Sequence, residues 1–411
     1  MMFRIKFDRK VFIISVGALL EYYNFIIFGL LVPFIFSKYE ANSQNSLILG
    51  YLIFTVGYIA RPIGGFIMGV LSDTKDRMYA FSTIMLLSGG ATFLMGVIPR
   101  FDSISVFFTA LFILRLFQSM GFGGEIPNAI TILYEYDNKK KFLRSANVIF
   151  NATLGCILAF GTSYLLSERS EKNYSDFVWR VPFLIGGAFS LILYFGRIKL
   201  QKSGIQAKNL FLDSKFFKRL KSQSKPIAIG TLLLLPTALL TINNIFLPTY
   251  LSEYFNYEKS TIFFISTIGL LLSLFFTISS GAILDKVGFK PVYCAVSVLL
   301  IVSILYILFF GRFRHIYDVI FFNITYNIYV SFTIVLVLGL LTGTIEKSVR
   351  NSVIGVIYNL SFMMASLLPS LTMKLISIYQ SPFIIYYLFI IMVIMSAVLV
   401  FLFFGKSNDR R

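Results

Sequence analysis

Three observations predict an all-α polytopic membrane protein whose twelve transmembrane helices form two six-helix bundles. The first is composition: 57% of residues are hydrophobic and 14% charged, whereas soluble domains run nearer 45–50% apolar and about 25% charged. The second is clustering. A bilayer core of roughly 30 Å takes about 20 mostly apolar residues per helix. Twelve such runs occur, near 11–36, 47–72, 79–99, 104–134, 145–166, 177–196, 226–253, 260–284, 291–310, 316–344, 351–376 and 382–405. The third is an internal echo. Gly69-Val70-Leu71-Ser72-Asp73-Thr74-Lys75-Asp76-Arg77 closes span 2, and Gly281-Ala282-Ile283-Leu284-Asp285-Lys286-Val287-Gly288-Phe289-Lys290 closes span 8. The two aspartates lie 212 residues apart in a chain of 411. The expected organisation is a bundle over 1–196, a basic linker over 197–225 and a bundle over 226–411.

The formal charge of +18 would suggest nucleic acid in a soluble chain. Here the basic residues stand at the ends of apolar runs, so the reading is topology. With both termini inside, 26 of the 37 Lys and Arg fall in cytoplasmic segments, 9 in outer ones and 2 within the membrane. That is the asymmetry of the positive-inside rule. Span 1 is too long for a cleaved signal peptide, contains Glu21 and lacks a small-residue cleavage site. Cys156 and Cys294 fall inside apolar spans and offer neither a disulfide nor a metal site. The single histidine, His315, sits in a short outer loop. With no nucleophile–base pair and no ligand cluster at depth, neither an enzyme nor a resident cofactor is expected.

Residues 1–10 form a basic tail with Arg4, Lys6, Arg9 and Lys10. Span 1 then carries Glu21-Tyr22-Tyr23-Asn24-Phe25, with Glu21 about 15 Å into the membrane at 1.5 Å per residue. Arg61 of span 2 reaches a similar depth, roughly 16 Å. A charge at that depth is costly unless it pairs or faces water, so Glu21 and Arg61 read either as a structural ion pair or as part of a polar cavity. Span 4 holds Arg115 and Gln118, three apart and on one helix face, then Gly121, Gly123, Gly124 and Glu125. The glycines permit close backbone approach, and Pro127 removes one backbone hydrogen bond. Glu135 closes the span. The segment 197–225 carries nine Lys or Arg against Asp213 alone, which suits orientation and contact with anionic headgroups.

The second half repeats the plan with fewer charges. Span 7 has Asn243-Asn244 before Pro248, echoing Asn24 and Pro33. Spans 10 and 11 supply Asn323, Tyr326, Asn327, Tyr358 and Asn359. Each of these either bonds a neighbouring helix, for roughly half a kcal/mol, or lines a binding site.

These residues resemble the major facilitator superfamily of secondary transporters. The superfamily loop Gly-x-x-x-Asp-(Arg/Lys)-x-Gly-Arg-(Arg/Lys) matches Gly69, Asp73 and Arg77, and again Gly281, Asp285, Lys286, Gly288 and Lys290. The first copy departs at Thr74, Asp76 and Met78. Within the superfamily the chain is similar to the metabolite–proton symporters that include proline/betaine and α-ketoglutarate carriers, and to amino-acid carriers of intracellular bacteria. The matching pieces are Glu21 to Phe25, Ala60-Arg61-Pro62-Ile63-Gly64-Gly65, Arg115 to Glu125, Trp179-Arg180-Val181-Pro182-Phe183-Leu184, and Glu346 with Arg350, Tyr358 and Asn359.

The resemblance implies a monomer in a bacterial inner membrane that moves a small solute with protons by rocking two bundles around a midplane site. Substrate and protons would be handled by Glu21, Tyr22, Tyr23, Asn24, Arg61, Arg115, Gln118, Glu125, Asn243, Asn244, Asn327, Tyr358 and Asn359. Gating would fall to Asp73, Arg77, Glu135, Asp285, Lys286 and Lys290. Asp73 is expected at the N-terminus of the helix of span 11 and Arg77 beside Glu135. The family usually has an aspartate at Asn24, so Glu21 and Glu125 remain as the acids that could take a proton, and a proton on Glu21 would release Arg61. Two buried cations balanced by two anions suit a zwitterion such as an amino acid or betaine. With both glutamates protonated, the site suits a di- or tricarboxylate. A uniporter of the same fold is the reading without coupling. Drug efflux is disfavoured because Asn151-Ala152-Thr153-Leu154-Gly155-Cys156 lacks the proline those carriers have, and a non-transporting receptor would bind without flux.

Overall fold

The computed structural model describes residues 8–36, 44–99, 101, 103–169, 177–201 and 214–404. Arg4 and Lys6 of the basic tail, and Asp213 with much of the expected linker, lie outside them. All regular structure among the described residues is helical. In chain order the helices are α1 (Arg9–Phe36), α2 (Gln44–Thr74), α3 (Arg77–Val97), α4 (Ile104–Tyr136), α5 (Lys141–Arg169), α6 (Arg180–Gln201), α7 (Ser214–Ser222), α8 (Ser224–Phe255), α9 (Lys259–Val287), α10 (Phe289–Tyr306), α11 (Ile316–Thr344), α12 (Arg350–Ala365), α13 (Leu368–Tyr379) and α14 (Ile384–Phe404). Among the described residues twelve stretches are long and apolar enough to cross a membrane; α12 and α13 together make one of them, Lys347–Tyr379. The break between those two precedes Pro369, whose ring nitrogen has no hydrogen to donate.

Local chemistry fixes the ends. Asp76 is the N-cap of α3 and accepts from the Tyr79 amide at 2.8 Å. His315 and Asp318 form a capping box at α11, and buried Asp318 also accepts from the Tyr306 hydroxyl at 3.0 Å. Gly288, at φ 90°, turns the chain between α9 and α10.

The chain forms two compact units. One comprises Met1–Tyr136, Asn151–Lys221 and Glu346–Asn359; the other comprises Asp137–Phe150, Ser222–Ile345 and Leu360–Arg411. The first therefore includes the start of α12, and the second includes the start of α5. Helix α6 runs five residues beyond the expected end of span 6, so Arg197 is helical and fully buried. It does not belong to a solvated linker.

Within the first unit, α2 and α4 cross on glycine. A Cβ at Gly123 would collide with the Arg61 carbonyl, and one at Gly64 with the Met120 backbone. Small residues bring two helices this close where lipid supplies no hydrophobic drive. The outward faces are apolar: Phe264 and Phe275 are 67% and 69% exposed, which lipid tolerates and water does not.

Gly123→Ala should destabilise the detergent-solubilised protein by about 1–3 kcal/mol through overpacking. Gly90→Ala, where a Cβ would meet nothing within 4 Å, should be neutral or gain up to about 1 kcal/mol. Thermal melts of the two variants side by side check this, and equal melting points would count against the crossing.

Candidate functional site

The interior of the first unit gathers most of the candidate residues. Arg115 is fully buried and donates to the Gln118 side chain at 2.5 Å. Gln118 in turn donates to the Asn24 carbonyl at 3.2 Å and to Thr92 at 2.7 Å. The Arg115 guanidinium lies over the rings of Phe25, Phe28 and Phe54, 4.1, 4.7 and 5.3 Å from their centroids, where the ring quadrupoles attract it. Among the described residues no carboxylate pairs with it, and its Nε and Nη2 have no hydrogen-bond acceptor. The Asn24 amide donates to Ser190 at 2.9 Å. Tyr23 packs beside Asn24 against Gly186.

Arg61 sits 4.4 Å from the Phe122 centroid and 5.4 Å from those of Phe25 and Tyr58. Its Nε donates to the Asn359 side chain at 3.2 Å. Asn359 donates to the carbonyls of Gly123 and Gly355, both at 2.7 Å. The Tyr22 and Tyr358 hydroxyls bond each other. Tyr358 and Asn359, read as second-half residues in the sequence, thus belong to the first unit.

The acids are placed otherwise than the sequence suggests. Glu125 pairs with Arg197 through both carboxylate oxygens, at 3.0 and 2.5 Å. Arg197 also donates to the Phe81 carbonyl at 2.9 Å and stacks 3.4 Å from the Phe81 centroid. Glu21 is not the partner of Arg61. Its Oε1 accepts from the Ser88 hydroxyl, and its Oε2 has no partner among the described residues. The charges acting on Glu21 are Glu125 and Arg197, so a proton arriving there has no pair with Arg61 to release. Depth alone put Glu21 and Arg61 together; the faces of their helices put them apart. Arg197 joins Arg61 and Arg115 as a third cation buried within the spans, against Glu21 and Glu125, which corrects the balanced count read from the sequence.

The expected gating residues lie at helix ends. Asp73 accepts from the amides of Asn351 and Ser352 at 3.1 and 2.8 Å and from the Ser352 hydroxyl at 2.8 Å, at the first turn of α12. Helix N-termini offer unpaired N–H groups and a positive dipole end. Arg77 pairs with Glu135 at 2.9 Å and approaches Asp73 at 3.4 Å, while Arg350 reaches Glu135 at 3.3 Å.

In the second unit Asp285 repeats the arrangement, accepting from the Phe142 and Leu143 amides of α5 at 3.2 and 2.9 Å. Lys286 is exposed at the end of α9, and Lys290 is half-buried in the first turn of α10. Nearby, Asp137 accepts from Arg144 and from the Lys139 amide. Burial pushes its carboxyl up, but these bonds and the charges of Arg144 and Lys140 outweigh burial and hold it below the usual carboxylate range. The contact therefore stabilises at neutral pH and is lost as pH falls through the lowered value.

The second unit's own polar candidates form an uncharged chain. The Tyr326 hydroxyl donates to Asn244 at 2.6 Å and receives from Asn323 at 3.0 Å. Asn327 bonds Asn323 in turn, and buried Asn243 keeps an unsatisfied amide nitrogen. Sequence reasoning missed Arg197 and the hydroxyls of Ser88, Thr92 and Ser190. The one signal for Arg197 was its setting: isolated after Gly196, with apolar Ile198 and Leu200 continuing the helix.

A family model described as Major Facilitator Superfamily matches residues 14–369. A Staphylococcus haemolyticus protein named as a proline/betaine transporter is 24% identical over 302 residues, covering 69% of this chain and 63% of its own length. The shikimate transporter of Escherichia coli is 28% identical over 269 residues, 64% of this chain and 60% of that one. The chain thus matches less than two thirds of the length of these relatives. Among solved structures, a bacterial homologue of the iron transporter ferroportin superposes with a TM-score of 0.77 at 15% identity, covering 97% of this chain and all of that one.

Asp73→Asn should weaken the α12 contact by about 3 kcal/mol, the scale of breaking a buried charge from its partners. Hydrogen exchange should then rise roughly a hundredfold at the amides of Asn351 and Ser352, since 1.4 kcal/mol is tenfold. Unchanged protection at those two amides would show that the carboxylate does not hold the helix end.

Proposed function

The chain belongs to the major facilitator superfamily and is a membrane transporter, not an enzyme; on that footing we propose that it is a proton-coupled symporter. It imports a small zwitterion that carries a carboxylate, an amino acid or betaine, across a bacterial cytoplasmic membrane by alternating access. Both termini face the cytoplasm, in keeping with the positive-inside charge pattern.

The observation that carries the reading is the state of Glu21. It is buried at 1% exposure, bonded to a hydroxyl and not to a cation, beside a Glu125–Arg197 pair whose charges cancel. An ionised carboxylate without a cation at hand is expensive in such a place, so gaining or losing a proton there changes the energy of the whole bundle. Asn24 cannot take that proton, because an amide does not titrate. The substrate carboxylate is assigned to Arg115, whose Nε and Nη2 lack acceptors and match a carboxylate in bidentate geometry. Arg61, Tyr22, Tyr358 and Asn359 complete the binding group in the first unit; Asn243, Asn244 and Asn327 are the candidate amides of the second. Asp73, Arg77 and Glu135, with Asp285, Lys286 and Lys290, act as gates. The name of the Staphylococcus relative supports the zwitterion class.

A second reading follows from charge. With Glu21 protonated and Glu125 offset by Arg197, the guanidinium groups of Arg61 and Arg115 suit a di- or tricarboxylate, or a hydroxy acid of the kind named for the Escherichia coli relative.

Proteoliposomes with an imposed inward proton gradient decide. Labelled proline and betaine should accumulate in wild type, and Glu21→Gln should lose accumulation by at least tenfold while still equilibrating substrate. Transport by Glu21→Gln with unchanged pH dependence would remove Glu21 from the mechanism. Uptake of α-ketoglutarate or citrate alone would select the second reading, and downhill flux indifferent to the gradient would make the protein a uniporter.

A further inference from the structure

Two carboxyls and one guanidinium share a single buried cluster, and two of the three keep an atom unused. Arg197 spends Nη1 and Nη2 on Glu125 and on the Phe81 carbonyl, while its Nε has no acceptor among the described residues. Glu21 has an unused acceptor in Oε2. The link between them is Gly17. A Cβ there would strike both Arg197 Nη2 and Glu125 Oε1, so the ion pair lies directly against α1 at that position. Gly17 and Glu21 are four residues apart on one helix, which puts them on the same face one turn, about 5.4 Å, apart. The ion pair and Glu21 thus lie against one face of α1.

The groups around Glu21 are few. Glu125 faces it from α4, Arg197 from α6 and the Ser88 hydroxyl from α3. Arg61 of α2 and Arg115 of α4 are turned to Phe25 and its neighbouring rings. One cation for two acids leaves the cluster neutral only when it holds one proton.

We propose that Arg197 is a shared counter-ion that exchanges between Glu125 and Glu21, so that one proton passes from the first helix to the fourth. Where Arg197 pairs with the Glu125 carboxylate, the arrangement seen, the exchange assigns the proton to Glu21 as a carboxylic acid. In the exchanged arrangement Arg197 pairs with the Glu21 carboxylate and Glu125 holds the proton. The O–H bond at Glu21 breaks, an O–H bond at Glu125 forms, and the charge of the cluster is unchanged throughout. Arg197 never gives up a proton, so it is a positioning residue. Ser88 holds Glu21 in place for the exchange, and the absent side chain at Gly17 leaves the path open. The inference rests on the proton-coupled reading of Glu21 given above.

The test needs no substrate. Purified full-length protein is studied by infrared difference spectroscopy of protonated carboxyl groups across a pH titration. Wild type should show one such band at neutral pH, removed by Glu21→Gln. In Glu125→Gln, Arg197 loses its partner and turns to Glu21, so the Glu21 band should disappear at neutral pH. A band that persists in Glu125→Gln overturns the proposal, as does a wild type without a Glu21 band. Should Glu125→Gln not purify as a monodisperse protein, Arg197→Gln answers instead. Two protonated carboxyls are expected there, and the Glu21 band alone would overturn the exchange. Failure of the symporter reading is separate, since Glu21→Gln would then transport with wild-type pH dependence whatever the bands do.

Discussion

The Glu125–Arg197 pair is the contact on which the first unit's interior depends. Neither charge could be buried alone: removing one partner of such a pair costs about 3–5 kcal/mol, because the other is left uncompensated. Through it α4 is bound to α6, and the Arg197 bond and stacking contact with Phe81 add α3. Gly17 lets α1 close over the pair. By cancelling each other, these two charges leave the remaining ones to be met by weaker means. Arg115 is met by three aromatic faces and an amide, and Glu21 by one hydroxyl. An unmatched charge is poor structural material but good functional material, because a ligand or a proton can complete it.

The helix ends use one device twice. Asp73 and Asp285 each accept two backbone N–H groups at the start of a helix distant in sequence. The first copy adds a ring of ions, with Arg77, Glu135 and Arg350 in contact. The second sets Asp285 on the backbone N–H groups that open α5. The departure of the first loop from the superfamily pattern has a local reason. Asp76 stands where the pattern has glycine, and it caps α3. Capping replaces turn freedom at that position, so the loop is kept short by a hydrogen bond where the second copy uses Gly288 at positive φ.

Much of this was legible in the sequence. Apolar runs of bilayer length mark the spans, and an acid at a helix end beside a repeated glycine marks Asp73. What failed did so for geometric reasons. Counting residues gives depth along a helix but not direction around it. Glu21 and Arg61 therefore matched in depth, yet Glu21 faces Ser88 while Arg61 packs on Phe25 and Phe122, beyond a further turn of α1. Arg197 was hidden by its place at a span end, where a cation reads as solvated unless its partner on another helix is known. Tyr358 and Asn359 were legible as polar residues of span 11, but sequence position could not assign them to the unit that holds Arg61.

The units divide their polar chemistry. The second spends amides and tyrosines in a chain from Asn244 through Tyr326 and Asn323 to Asn327, all neutral at any physiological pH, so it offers hydrogen bonds of fixed character. Among the described residues the charges set deep in the spans, Glu21, Arg61, Arg115, Glu125 and Arg197, belong to the first unit. Asn24 sharpens the point. Its side-chain nitrogen is held by Ser190 and its backbone carbonyl by Gln118, which ties it to the Arg115 network. Arg115 keeps two unsatisfied donors, which the proposed reading gives to a carboxylate ligand, while it gives the proton to Glu21, three residues from Asn24 on α1. On the proposed reading, substrate and proton are met by different residues of one helix-bounded interior.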